Sequence, residues 1–155
     1  MAYPAVRKAE KIALSLEIVP TALCVRSALG RIDNWLTSYG LEKECRGNAQ
    51  LVIAEVLNNI VEHGNLRPEQ VIQATVSLNY AGITCSVRDE APEFHALEAS
   101  RRVDAEPCAA SIQLAEGGYG VFLIQSLAQG FRYLDVDQGN HLEFLIPLTT
   151  HSEQI

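Results

Sequence analysis

Glu55, Asn59 and His63 stand four residues apart in the stretch AEVLNNIVEHGN, which runs from Ala54 to Asn65. On a helix each step of four residues turns the chain by about 400°, so the three side chains drift only about 40° per step and line one edge. That edge runs beside an apolar face formed by Val52, Val56 and Ile60, at a boundary between core and solvent. A carboxylate there can polarise a hydroxyl or a water. An amide oxygen is a hard ligand of the kind Mg²⁺ accepts alongside phosphates and waters. A solvated or capping stripe fits the same pattern, and an imidazole in the last turn suits the helix dipole with no further role.

Asp89 adds a second polar group in an unusual place. It follows Ile83, Cys85 and Val87 at even spacing, so on a strand it shares their core-facing side. An unpaired carboxylate there is expensive and needs donors, which local backbone amides or a ligand with an exocyclic amine can supply. A third element is EGGYGVFLIQSL, where Gly117, Gly118 and Gly120 precede an apolar helical run. Free backbone N–H groups at such a helix start can meet an anion, and glycine permits the close approach. A plain glycine hinge reads the same way. No Lys-Ser/Thr follows as in a Walker A loop, and no G-x-G-x-x-G fingerprint follows a strand.

These residues need elements to hold them. IALSLEIV, Ile12 to Val19, alternates like a strand and stops at Pro20. Val25, Leu29, Ile32, Trp35, Leu36 and Tyr39 then recur at helical spacing, with Pro20 near the start and Gly40 at the end. A second helix fits from about Glu42 to His63, with Gly64 as its stop. VIQATVSL and GITCSVRD read as two strands of a hairpin turning at Gly82. Residues 91–118 show no clean period and read as a long, partly helical loop, which at that length is functional or mobile. The helix YGVFLIQSLAQ follows, and then the strands FRYLDV and HLEFLIPL joined by DQGN. The order β-α-α-β-β-loop-α-β-β predicts an α+β two-layer sandwich, with a mixed, mostly antiparallel sheet and helices on one face.

The bulk composition narrows the function classes. The chain has 155 residues, 48% of them apolar and 20% charged, which suits one globular domain over residues 1–155 with its core at about 12–148. A net charge of −7 argues against direct nucleic-acid binding, because phosphate contacts need clustered Lys and Arg. The four cysteines, Cys24, Cys45, Cys85 and Cys108, are scattered without zinc-ligand spacing. The first residues lack the apolar core of a signal peptide, and no run of about 18 apolar residues occurs. We therefore expect a cytoplasmic protein with reduced thiols and no membrane contact.

ExxxNxxxH on a helix, an Asp ending a strand about 30 residues later and a Gly-x-Gly helix start another 30 on resemble the N, G1 and G2 boxes of the GHKL (Bergerat-fold) ATPases. The compact length and the ending GGYGVFLIQSLAQGFRYLDVDQGNHLEFLIPL look most like the anti-sigma-factor serine/threonine kinases of that superfamily. The likeness runs from Ile12 to Leu148. It implies that Glu55 is the general base, that Asn59 ligates Mg²⁺, and that Asp89 accepts a hydrogen bond from the adenine amino group of ATP. Also implied is a nucleotide site lined by His63, Ala91, Gly117, Gly118, Tyr119 and Gly120, with the loop at about 91–118 as its lid. The implied reaction moves the γ-phosphoryl of ATP to a serine of a STAS-domain anti-anti-sigma protein. The implied partners are that antagonist, a sigma factor or similar target held by sequestration, and a second copy of the chain in a homodimer.

Two positions depart from the family pattern. Where the G1 box usually has Gly two residues after the Asp, this chain has Ala91. A left-handed Ala91 would cost roughly 1–2 kcal/mol; otherwise the floor of the adenine site has a different shape. Where related kinases often carry a basic residue before the G2 glycines, Glu116 stands here, with Arg101 and Arg102 earlier in the loop as possible replacements. The alternative these departures favour is a nucleotide-gated partner-binding module with a degenerate ATP site and no transfer chemistry. With no phosphoacceptor-His helix pair ahead of the ATPase-like segment and His63 embedded in the N box, a sensor histidine kinase is not expected.

Overall fold

The computed structural model describes residues 12–91, 119–134 and 139–148. Within them the element order is β1 (Ile12–Ile18), α1 (Ala22–Ser38), α2 (Lys43–His63), β2 (Ile72–Asn79), β3 (Gly82–Asp89), α3 (Tyr119–Leu127), β4 (Gln129–Tyr133) and β5 (Asn140–Pro147). The five strands form one sheet in the order β1-β2-β3-β5-β4. All four pairings are antiparallel; the parallel neighbour of a mixed sheet does not occur among the described residues.

Alternation along each strand separates two faces. On one, Leu16 sits opposite Ala74, Val76 opposite Cys85, and Ile83 opposite Ile146, all buried. The helices cover this face. Val25, Ala28, Ile32 and Leu36 of α1, Cys45, Ala49, Val52, Ile53, Val56 and Leu57 of α2, and Ile124 of α3 join the same core. The other face is polar: Ser15, Thr75, Ser86, Glu143 and Arg132 form one row across the five strands. There Arg132 donates to Glu143 at 2.6 Å, and Ser86 Oγ lies 2.6 Å from His141 Nε2.

Local chemistry sets the helix ends. Thr21 caps α1 by accepting from the Cys24 N–H at 3.1 Å, so Pro20 lies just outside the helix. At the other end Gly40 has φ +79, its N–H reaches Thr37 O, and the Leu41 N–H reaches Leu36 O. That is the Schellman arrangement, and only glycine adopts its left-handed residue without strain. Arg46 then locks α2 to α1, donating to Asp33 Oδ1 at 3.0 Å, Thr37 Oγ1 at 2.8 Å and Leu41 O at 3.2 Å.

The junction of α3 and β4 differs from the sequence reading. α3 ends at Leu127, and Gln129, expected in the helix, opens β4 instead. A register shift between Gln129 and Arg132, with Gly130 at φ +66, interrupts the alternation that would have announced the strand. α2 does stop before Gly64, but Gly64 stays right-handed at φ −76, and Asn65 takes the left-handed turn at φ +52. The 91–118 loop beyond Ala91 and the end of FRYLDV lie outside the described residues.

Candidate functional site

The β3–β5 ladder pairs Ile83 with Ile146, Cys85 with Phe144, Val87 with Leu142, and finally Asp89 with Asn140. Three apolar rungs are thus followed by one polar rung on the same buried face. Asp89 is 4% exposed and Asn140 5%. A carboxylate so enclosed has to be hydrogen-bonded to persist. The Ala91 N–H donates to Asp89 Oδ1 at 2.8 Å, closing a turn of the kind aspartate makes with the residue two ahead. From across the sheet, Asn140 Nδ2 donates to the same Oδ1 at 3.0 Å and to Ala91 O at 3.4 Å. Among the described residues both hydrogen bonds of the carboxylate fall on Oδ1, so Oδ2 retains its acceptor capacity.

Two glycines let backbone close around this rung. Gly139 has φ +83, and a Cβ there would run into the carbonyl oxygen of Asp89. Gly64, at the end of α2, is buried; a Cβ on it would come within 2.5 Å of Ile60 O and 3.3 Å of the Ala91 Cβ. The Ala91 methyl therefore packs into the notch that Gly64 leaves. This contact joins the Asp89 turn to the helix that bears Glu55, Asn59 and His63. Ala91 is 2% exposed, and the only non-glycine residue with positive φ among those described is Asn65. The left-handed strain considered for Ala91 is absent, because its N–H can reach Asp89 from an ordinary backbone conformation.

Along α2, Glu55 and Asn59 are half-buried and His63 is exposed, 3.7 Å from Glu62. The edge thus climbs from the core boundary to solvent as it nears the Asp89 turn. α3, which begins with Tyr119 and Gly120, packs against α2. Ile124 of α3 joins the core to which α2 contributes. Gly117, Gly118, Glu116, Arg101 and Arg102 lie outside the described residues. Among the described residues no three His, Cys, Asp or Glu side chains cluster as a metal cage. Asn59 offers one hard donor, which suits an ion that takes its other ligands from phosphate oxygens and water.

Asn140 and Gly139 escaped the sequence reading, where GN counted only as part of the DQGN turn. Their role depends on the β3–β5 register, and no local pattern reports it.

Residues 19–146 match the family model of the histidine kinase-like ATPase domain. The chain belongs to the histidine kinase-like ATPase family. No curated protein matches it. Among solved structures, the fold of this family member is similar to the crystal structure of the RsbU and RsbW domains of Rv1364c from Mycobacterium tuberculosis, with a TM-score of 0.55 and 17% sequence identity. The match covers 88% of this chain and 32% of that one, so the histidine kinase-like ATPase chain spans about a third of its neighbour's length. At that identity the likeness speaks for the fold. No helix among the described residues is long and apolar enough to cross a membrane.

Proposed function

We propose that this chain binds Mg-ATP and acts as an anti-sigma-type serine protein kinase in a partner-switching system. The observation that carries the nucleotide reading is the buried Asp89–Asn140 rung, where a carboxylate is held by one oxygen and keeps an acceptor on the other. Adenine offers a 6-amino donor to such an acceptor, and the family is named for an ATPase domain. In this reading Asn59 supplies a ligand to Mg²⁺, which neutralises charge on the phosphates when bound. The phosphates are assigned to Gly117, Gly118, Tyr119 and Gly120, the glycine-rich run that leads into α3. His63, at the solvent end of the edge, borders the site.

Glu55 takes the proton of a serine hydroxyl on the partner. The serine oxygen then bonds to the γ-phosphorus, and the bond to the β-bridging oxygen breaks to release ADP. Phosphoryl transfer asks the protein mainly for positioning and charge stabilisation, and a placed base adds about 10²–10⁴ in rate. The protein substrate in this proposal is a STAS-domain anti-anti-sigma protein. Its unphosphorylated form competes with a sigma factor, or a comparable regulator, for the chain or its homodimer. Ala91 does not argue for a degenerate site, since it carries no left-handed strain and its N–H holds Asp89.

The test is transfer of label from γ-labelled ATP to a STAS-domain protein of the same genome, with Glu55→Gln as the comparison. We expect label on a serine, and a loss of about 10²–10⁴ in the variant at unchanged ATP affinity. If Mg-ATP binds but no such protein is ever labelled, the chain regulates by binding and the kinase assignment falls.

A further inference from the structure

The strand order β1-β2-β3-β5-β4 leaves the outer side of β1 without a neighbouring strand among the described residues. No described turn or loop hydrogen-bonds to its backbone there. Sheet margins that must stay single are usually blunted by proline, lysine, a bulge or a very short strand. β4, at the other margin, has its bulge beside Gly130. β1 has none of these: its seven residues, IALSLEI, pair with β2 in unbroken register.

The sequence of β1 also reads nearly the same in both directions. About Ser15, Leu14 mirrors Leu16 and Ile12 mirrors Ile18; only Ala13 and Glu17 differ. Opposed residues of antiparallel strands share a face. Two β1 strands laid antiparallel with Ser15 against Ser15 therefore put every leucine and isoleucine on the helix side. Glu17, the only charge in the strand, meets Ala13 of the other copy and not a second carboxylate. A slip of one residue would turn the apolar set to the wrong face.

The core is also left open on this side. Leu16 and Ile18 are buried, but Ile12 and Leu14 are only half-buried. α1 packs on β1. Its side toward α2 is marked by Asp33 and Thr37, which accept from Arg46, and by the Leu29 carbonyl, which accepts from Gln50. Trp35 is two residues from both Asp33 and Thr37, so it lies about 200° round the helix, away from α2 and toward the β1 margin. Cys24 and Tyr39 share that flank, and all three are half-buried against the core.

We propose that the β1 edge is where two copies of the chain join, antiparallel and two-fold about Ser15, merging two five-stranded sheets into one. The α1 flanks then close over the Leu14–Leu16 rungs from both copies. Each copy offers the same patch to the other, so the contact closes at two chains. This pairing gives a surface to the homodimer of the proposed function, and it holds whether or not the chain transfers phosphate.

Sedimentation equilibrium of the native chain, without nucleotide and over a wide concentration range, tests this alongside Ser15→Lys and Ser15→Glu. Ser15 is exposed, so both variants should fold, which thermal unfolding checks. The native chain is expected to dimerise. Each variant sets like charges directly opposite each other across the axis and should dimerise about fivefold more weakly. Mixed in equal amounts, the two variants should recover the dimer, because lysine then faces glutamate; the rescue requires Ser15 to lie on the axis. If either variant fails to fold, Ala13→Lys decides: it faces Glu17 of the other copy and should tighten the dimer severalfold. A native chain that stays monomeric at every concentration overturns the pairing; that is the result expected if β1 instead takes an extended segment of a different protein. So does a dimer that these substitutions leave unchanged, or a loss that mixing fails to repair.

Discussion

Asp89 and Asn140 face each other as the last rung of the β3–β5 ladder, with Asn140 Nδ2 3.0 Å from Asp89 Oδ1, and both are almost wholly enclosed. In a ladder whose other rungs on that face are Ile–Ile, Cys–Phe and Val–Leu, this pair is the point where apolar packing gives way to hydrogen bonding. Burial of such groups stabilises a fold only when their hydrogen bonds are made.

The first prediction concerns the remaining acceptor of Asp89. Asp89→Asn should weaken Mg-ATP binding at least tenfold, because hydrogen bonds to charged groups contribute about 1.5–3 kcal/mol and the new amide can present NH₂ to the adenine amine. Calorimetric titration measures it, and unaltered affinity in the variant would move the adenine site elsewhere.

Glycine substitutions should separate conformational strain from collision. Gly130 has φ +66 with open space around it, so Gly130→Ala should cost only about 1–2 kcal/mol. Gly139 has a similar φ of +83, but its Cβ would strike the Asp89 carbonyl. Gly139→Ala should therefore add a further 1–3 kcal/mol or so of overpacking and disturb ATP binding as well. Urea unfolding of both variants provides the comparison; equal losses would mean that the backbone of β5 yields freely at the site.

Arg46 ties the two long helices together through Asp33, Thr37 and the Leu41 carbonyl. Asp33 is 39% exposed, so the ion pair by itself contributes little. The uncapped Leu41 carbonyl matters more. Arg46→Met keeps the stem and loses the donors; it should lower stability by about 1–2 kcal/mol in chemical denaturation while leaving nucleotide affinity intact.

Burial drives the Cys85 thiol far above the ordinary thiol range. Its protonated form is thus favoured in the folded state, and the linked stability is fully present below about pH 8.5, the unfolded value. As pH rises beyond that, the unfolded chain ionises first and the contribution is progressively lost. Stability should be flat with respect to this group from pH 6 to 8, then fall on the alkaline side, less so in Cys85→Ala. In alkylation at neutral pH followed by peptide mapping, half-buried Cys24 should label before Cys85, which should resist until denaturant is added. Early labelling of Cys85 would show that the sheet opens on its buried face.

The order of elements was legible in the sequence because each element carries its own period. Helical spacing in α1 and α2 and alternation in β2 and β3 are local properties, and β3 fits its predicted span from Gly82 to Asp89. Asp89 announced itself the same way, as a charged residue in an even-spaced apolar series. β4 did not, since a bulge next to Gly130 leaves five residues with no clean alternation.

What the sequence determined by itself is the set of candidate groups: an acid, an amide and an imidazole on one helix edge, and an aspartate aimed inward. The tertiary structure alone decided how they are held. Asn140 reaches Asp89 from 51 residues away along the chain, and Gly64 accommodates the Ala91 methyl from another element. Such contacts follow from strand register and helix docking, which depend on the whole core closing at once; no window of neighbouring residues encodes them.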